Sequence, residues 1–261
     1  MAHEGRLPAR CPEVTTLLFD LDGTLVDQLA RGLHLRLMLR AFRHFTPAIP
    51  WWRFRRAFWR AIKAVKHNQG PRLNADVFLD VLCESALASR PEVAHLVERF
   101  VSEHVVSCWD CFRPIPGARE TLELANALGY RLVVATNPVL PLSAVRMRMR
   151  CGNVDDLPFE RITSSQSCTS CKPYTSYYAE LLADLGLEGR ECLMIGNDPK
   201  KDLPAKEVGC WTWVLDLPRV RRSHPRVAQD PRLDGYGSYH DLQEWIRRSA
   251  EERCPTLNGS A

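Results

Sequence analysis

The chain has 261 residues, of which 45% are apolar and 25% are charged, and its mean hydropathy is −0.25. These values are typical of one large or two unequal globular domains. The longest uncharged stretch, 132–145, has only 14 residues and contains two prolines, which excludes a membrane-spanning helix. The first 14 residues carry charges and prolines where a secretory signal needs an apolar run, so we expect a cytoplasmic protein.

The charge is unevenly distributed along the chain. The net charge is only +4, from 35 basic and 31 acidic residues, but residues 28–75 contain 11 of the basic residues and none of the acidic ones. The positive excess therefore belongs to one segment, and a whole-chain argument for nucleic-acid binding is weak.

The chain contains ten cysteines at irregular spacings. This density is below that of a disulfide-stabilised scaffold, and we expect reduced thiols. Two C-x-x-C pairs, Cys108/Cys111 and Cys168/Cys171, leave a shared zinc site or a regulatory disulfide as alternatives.

Short apolar and β-branched runs recur through the chain. They are predicted strands at 13–20, 131–137, 159–165, 191–197 and 210–216. Helical patterns separate most of them, and this alternation predicts an α/β fold with a Rossmann-like, doubly wound parallel sheet. The segment 217–235, rich in Arg and Pro, is predicted to be a loop before a last helix.

The regular alternation is absent between residues 28 and 113. Leu29, Leu33 and Leu37 begin an apolar i, i+4 series, and similar series follow near 54–65, 74–88 and 91–107. We therefore predict a helical cap domain, 28–113, inserted into an α/β core formed by 1–27 and 114–261.

Polar residues follow several predicted strands, at the sheet edge where open parallel sheets bind ligands. The first strand is followed by Asp20, Asp22, Gly23 and Thr24 in the string D-L-D-G-T. One carboxylate could attack phosphorus while the other handles protons. An ordinary Asp-Gly turn is the alternative interpretation.

At this point the chain resembles a known family. The string FDLDGTLVD is similar to the first motif of the haloacid dehalogenase superfamily, whose phosphatases form a phosphoaspartyl intermediate and often carry a helical cap at this place. Matches to the later motifs follow in order at Thr136 in LVVATN, Lys172 in CKPYTSYY, and Asp198 and Asp202 in MIGNDPKKDL. Each of these later matches is weak evidence by itself, because each residue has a simpler interpretation. Thr136 could simply end a strand, and Lys172 could be a surface lysine. Asp198 could be a helix N-cap, and Asp202 could be a solvated surface residue.

The resemblance implies a role for each of these residues. Asp20 would be the nucleophile, Asp22 the acid and base, Thr136, Asn137 and Lys172 would bind the phosphoryl group, and Mg²⁺ would be held by Asp20, Asp198 and the carbonyl of Asp22. The presence of Asp22 favours phosphoryl transfer over carbon–halogen cleavage, because the dehalogenases of the superfamily lack this second aspartate.

The fourth motif departs from the family pattern. Members commonly have Gly-Asp, whereas here Gly196 is followed by Asn197 and then Asp198. Either residue could be the metal ligand. We favour Asp198, because a carboxylate binds Mg²⁺ better than an amide, with Asn197 and Asp202 in supporting positions.

The segment WWRFRRAFWR (51–60) combines aromatic and basic residues. It is most simply an amphipathic cap helix with solvated arginines. Alternatively, Arg53 and Arg56 contact or attract an anionic substrate; nucleic-acid or membrane-surface binding is a third reading that we do not favour.

The sequence thus predicts a Mg²⁺-dependent phosphatase acting on a small anionic phosphate monoester through Asp20. A non-catalytic binding protein with the same fold, or a phosphotransferase with an acceptor other than water, are the alternatives.

Overall fold

A computed structural model describes residues 11, 13–29 and 33–253. Its centre is a six-stranded parallel sheet of order β5-β4-β1-β6-β7-β8. The strands are β1 Thr16–Phe19, β4 Arg131–Val134, β5 Phe159–Ile162, β6 Cys192–Gly196, β7 Trp211–Leu215 and β8 Gly235–Gly237. The chain order reverses at β1, which lies between β4 and β6, so the crevice outside the carboxyl ends of these three strands is the expected ligand site.

Helices cover both faces of the sheet, which confirms the predicted α/β fold. Alternate residues of β1 point to opposite faces: Leu17 and Phe19 join one apolar core and Leu18 joins the other. The helices of this part of the chain are α5 Ala118–Ala127, α6 Leu142–Cys151, α7 Thr175–Leu185, α8 Pro199–Asp202, α9 Pro218–Ser223 and α10 Tyr239–Arg253. Residues of α5, α6 and α10 pack in the first core, and those of α7 pack in the second.

All five predicted strands are present, but the prediction of a loop over 217–235 was wrong. Pro218 begins the helix α9, and Gly235 begins the sixth strand, which pairs with β7. A three-residue strand with the sequence Gly-Tyr-Gly has neither the length nor the β-branched composition that marks a strand in a sequence.

Helices fill the segment between residues 33 and 111. They are α1 Leu33–Phe45, α2 Trp51–Lys66, α3 Asn74–Cys83 and α4 Arg90–Phe100, followed by a π-helical turn Val101–Val105 and a 3₁₀ turn Val106–Cys111. Two short strands, β2 Val26–Gln28 and β3 Phe112–Pro114, pair antiparallel where the chain enters and leaves this segment. The division into domains at residues 28 and 113 stays a prediction.

The inserted helices have an apolar core of their own. On α2 the buried residues are Phe54, Ala57, Ala61 and Val65, at helical spacing. The ring of Phe54 stacks on that of Phe45 from α1, with ring centroids 5.2 Å apart. Leu29, expected on the first helix, lies before it and is 47% exposed. No helix in 33–253 combines the length and apolar character needed to cross a membrane.

Candidate active site

The nucleophile candidate, Asp20, directly follows β1 at the centre of the sheet. Its backbone N–H donates to the carbonyl of Ile195 on β6, 2.9 Å away, which fixes the turn to the neighbouring strand. Its carboxylate is largely buried, and Lys172 Nζ donates to Oδ1 at 3.1 Å. Burial raises the pKa of Asp20 to about 7; Lys172 opposes the rise, and the charges of Asp202 and Asp22 add to it.

Lys172 lies beneath Asp20 and is shared between two carboxylates. Its Nζ also donates to Asp202 Oδ1 at 2.7 Å, and the side chains of both residues are almost fully buried. Burial would lower the pKa of Lys172, but Asp20 and Asp202 outweigh it and raise the pKa above its ordinary value. The ammonium group therefore stays charged, and the interpretation of Lys172 as a surface lysine was wrong.

Asp202 organises the loop that follows β6. Its Oδ2 accepts hydrogen bonds from the backbone N–H groups of Asn197, at 3.1 Å, and Asp198, at 3.0 Å. Gly196 allows this approach, because a Cβ at that position would lie 2.0 Å from Asp202 Oδ2. Asp202 is therefore a buried structural acceptor, and the alternative of a solvated side chain was wrong.

Asn197 and Asp198 have different neighbours. Asn197 Oδ1 accepts a hydrogen bond from the Thr24 hydroxyl at 3.3 Å. The amide nitrogen Nδ2 of Asn197 packs against Gly23, where a Cβ atom would lie only 2.4 Å from it. Gly23 also has a φ of +87°, so glycine is required there on both grounds. Asn197 thus joins the loop after β6 to the loop after β1.

Asp198 caps the short helix α8, as the capping interpretation predicted. Its Oδ1 accepts from the backbone N–H of Lys200 at 3.1 Å, and its Oδ2 pairs with Lys201 Nζ at 2.8 Å. Burial would raise the pKa of Asp198, but Lys201 outweighs it and holds the pKa below its ordinary value. The Asp198 carboxylate is therefore ionised and paired with the Lys201 ammonium group.

Asp22, the acid/base candidate, is half exposed and is held by a buried arginine. Arg148 Nη1 donates to Asp22 Oδ2, and Arg148 Nε donates to the carbonyl of Ala144 at 3.3 Å. Arg148 was not among the site residues predicted from the sequence. A signal was present, since this arginine falls at helical spacing with Ala144, Val145 and Met149 on the buried face of α6.

Thr136 and Asn137 follow β4 beside Asp20. The carbonyl of Thr136 accepts from the hydroxyls of Thr163, at 2.8 Å, and Tyr177, at 3.0 Å, which fixes the turn. The side-chain oxygen of Asn137 is buried and has no hydrogen-bond partner among the described residues. A buried acceptor without a partner is unusual, and Asn137 is one of the residues that line the cavity described below.

Most of these residues line one cavity of about 300 Å³ at the carboxyl edge of the sheet, whereas Lys172 and Arg148 lie behind the carboxylates that they hold. Its lining comprises Asp20, Asp22, Gly23, Gln28, Thr136, Asn137, Asn197, Asp198, Lys201, Asp202, Arg219, Val220, Ser223 and His224. The side chains of Asp20, Asp22 and Asp198 place carboxylate oxygens in this lining, and these are the ligands that Mg²⁺ prefers in proteins.

The predicted cap arginines lie elsewhere. Arg53 and Arg56 are exposed on α2, and neither belongs to the residues that line the cavity. Four of the lining residues come instead from α9 and its end: Arg219, Val220, Ser223 and His224. These four residues fall in the segment predicted to be a loop, and no function was predicted for them.

The two C-x-x-C pairs pack in different places in the fold. Cys108 and Cys111 pack with Leu33, whereas Cys168 packs in the core beneath α7, and Cys171 Sγ donates to the carbonyl of Val65 on α2. The cysteines between residues 11 and 210 are free thiols. Within the described ranges, the one His/Cys/Asp/Glu group with ligand atoms inside 4.8 Å is His44, Glu103 and His104, so no cysteine zinc site forms there.

The sequence profile of the haloacid dehalogenase-like hydrolase family matches residues 14–207. A phosphoglycolate phosphatase of Haemophilus influenzae is 27% identical over 140 residues, which span 51% of this chain and 61% of that protein. A phosphoglycolate phosphatase of Caulobacter vibrioides is 29% identical over 195 residues, spanning 74% of this chain and 76% of that protein.

The fold is similar to that of a solved structure. The HAD phosphatase from Thermococcus onnurineus superimposes with a TM-score of 0.54 at 18% identity, covering 88% of this chain and 97% of that one. At this identity the likeness concerns the fold alone. Because the family profile matches most of the chain, from β1 to the turn after α8, the chain belongs to the haloacid dehalogenase-like hydrolase family.

Proposed function

We propose that the chain is a Mg²⁺-dependent phosphatase that hydrolyses a small phosphate monoester through a phosphoaspartyl intermediate on Asp20. The observation that carries the proposal is the buried triad of Asp20, Lys172 and Asp202 at the switch point of a parallel sheet, opening into a cavity lined by further oxygen ligands. The family and its phosphatase relatives support the same reaction class.

In the first step, an Asp20 oxygen attacks phosphorus and the ester oxygen leaves as an alcohol, protonated by Asp22. In the second step, Asp22 removes a proton from water, the water oxygen attacks phosphorus, and the Asp20 carboxylate is released with inorganic phosphate. Arg148 positions Asp22 for both steps through the bond between their side chains.

The positive groups around the phosphoryl oxygens lower the repulsion between a dianionic phosphate and a carboxylate. Lys172 supplies one fixed charge, held in place by Asp202. Thr136 and Asn137 would contact the phosphoryl oxygens. Asp20, Asp198 and the carbonyl of Asp22 would hold Mg²⁺, which would supply further neutralisation of the phosphoryl charge.

The cavity size favours a small substrate, and the names of the relatives suggest 2-phosphoglycolate for a first assay. A role of Arg53 and Arg56 in drawing in the substrate stays a prediction, as does the cytoplasmic location.

The test is phosphate release from p-nitrophenyl phosphate and 2-phosphoglycolate, with and without Mg²⁺. We expect Asp20→Asn to reduce kcat by about a thousandfold or more. The matched control is Asp27→Asn, because Asp27 lies near in the chain and only pairs with Arg113 at the surface. Activity that survives in Asp20→Asn would rule out the covalent mechanism.

A further inference from the structure

The wall of the cavity formed by α9 takes no part in the phosphoryl chemistry. This helix directly follows β7, so it stands at the same carboxyl edge as Asp20 and contributes Arg219, Val220, Ser223 and His224 to the lining. A backbone hydrogen bond from His224 N–H to the carbonyl of Val220, at 2.7 Å, fixes the end of the helix. Because α9 lines the cavity next to the phosphoryl site, it is placed to contact the leaving group of the substrate.

The charges in the cavity are already paired, with one exception. Each lining carboxylate has a cationic partner: Asp20 and Asp202 share Lys172, Asp22 pairs with Arg148, and Asp198 pairs with Lys201. The side chain of Arg219, in contrast, has no hydrogen bond or ion pair within the described ranges. Arg219 brings the sum of these charges to zero, and a phosphate dianion and a divalent cation would balance each other, so Arg219 is the lining cation that is left without a partner of its own.

A guanidinium at the opening of a cavity is well matched to one chemical group. Its planar set of N–H donors binds a carboxylate through two parallel hydrogen bonds, which gives both affinity and orientation. The next arginine along α9, Arg221, cannot serve, because it is paired with Asp216 at 2.7 Å. The exposed cap arginines on α2 do not line the cavity at all.

We propose that Arg219 is the specificity-determining residue of this enzyme: it binds a carboxylate on the leaving group, so that the preferred substrates are phosphate esters of small hydroxycarboxylic acids. The inference rests on the proposed phosphatase function and deepens it. It places recognition of the leaving group on α9 of the sheet domain.

The experiment compares two substrates that differ in the carboxylate, 2-phosphoglycolate and ethyl phosphate, with wild type, Arg219→Gln, Arg219→Lys and Arg222→Gln. The last is the matched control, since Arg222 is exposed on the same helix and does not line the cavity. We expect Arg219→Gln to raise KM for 2-phosphoglycolate by about tenfold or more with little change in kcat, because the interaction is made equally in the ground and transition states.

The same variant should hydrolyse ethyl phosphate as wild type does, and Arg219→Lys should recover part of the loss. Arg222→Gln should match wild type on both substrates. An equal loss on both substrates, or no loss on 2-phosphoglycolate, would overturn the role of Arg219.

A binding measurement separates this inference from the proposed function. Calorimetry with 2-phosphoglycolate and Mg²⁺ should show binding to Asp20→Asn and about tenfold weaker binding to the double variant with Arg219→Gln. If wild type releases no phosphate but this difference holds, the phosphatase proposal fails and the carboxylate site stands. If the two variants bind equally, the carboxylate site is refuted.

Discussion

Replacement of Asp202 by asparagine tests whether the buried network beneath Asp20 is built as described. Asp202 is 1% exposed and accepts three hydrogen bonds: one from Lys172 Nζ on Oδ1, and two from backbone N–H groups on Oδ2. An asparagine has one accepting oxygen and one donating NH₂ group. Whichever way the amide is turned, its NH₂ faces a donor, either the Lys172 ammonium or the two N–H groups of the loop.

The cost follows from the burial of these groups. Removing one partner of a buried ion pair costs about 3–5 kcal/mol, because the remaining charge has lost its compensation. For a chain of this size, each kcal/mol shifts Tm by about 2–4 °C, so we expect a decrease of roughly 10 °C. The kcat should fall as well, because Lys172 loses the contact that holds its ammonium below Asp20.

Thermal unfolding followed by circular dichroism measures the first effect, and p-nitrophenyl phosphate hydrolysis measures the second. The matched control is Asp76→Asn, since Asp76 pairs with Arg90 at 2.9 Å but both side chains are about half exposed. Such a pair contributes less than about 1 kcal/mol, so Tm should change by no more than a few degrees. A Tm for Asp202→Asn as high as that of the control would refute the account of the network.

Three further changes test other parts of the site. Burial raises the pKa of Cys168 to about 11 and that of Cys171 to about 12, so both thiols stay protonated at pH 8. Mass spectrometry should therefore find both cysteines unlabelled by iodoacetamide in the native protein and labelled after unfolding. Rapid labelling of the native protein would contradict the burial of these two thiols. In a titration of activity with Mg²⁺, Asp198→Asn should raise the Mg²⁺ concentration needed for half-maximal activity about tenfold or more, and Asn197→Ala should raise it about threefold or less. The reverse order would assign the metal ligand to Asn197. Arg148→Met should lower kcat by about tenfold, because Asp22 loses the side chain that positions it. Tm should stay nearly unchanged, because the substitution removes a buried charge and the half-exposed Asp22 carboxylate becomes hydrated. An unchanged kcat would show that Arg148 does not position Asp22.

Much of the fold could be predicted because the pattern of strands and helices repeats. The strands ending at Phe19, Val134 and Gly196 are apolar runs buried on both faces, so their composition alone marks them. Parallel pairing then places their carboxyl ends at one edge. Asp20 and Thr136 were predictable as neighbours for that reason, although 116 residues separate them in the chain.

The remaining features depend on contacts that periodicity does not encode. The apolar stripe of α6 marks Arg148 as buried, but the sequence does not show that Asp22, 126 residues away in the chain, meets it there. Arg219 belongs to a segment rich in Arg and Pro, and its importance comes from the place of α9 after β7. The basic character of the cap segment drew attention to Arg53 instead, although that side chain is exposed outside the cavity.

The most direct test of the central claim is to trap the acyl phosphate during turnover. The enzyme is mixed with Mg²⁺ and substrate, quenched during steady state, reduced with borohydride and analysed by peptide mass spectrometry; reduction converts an aspartyl phosphate to homoserine. The account predicts homoserine at position 20 only when substrate is present, with Asp22 unchanged. Steady phosphate release with Asp20 unmodified would contradict it.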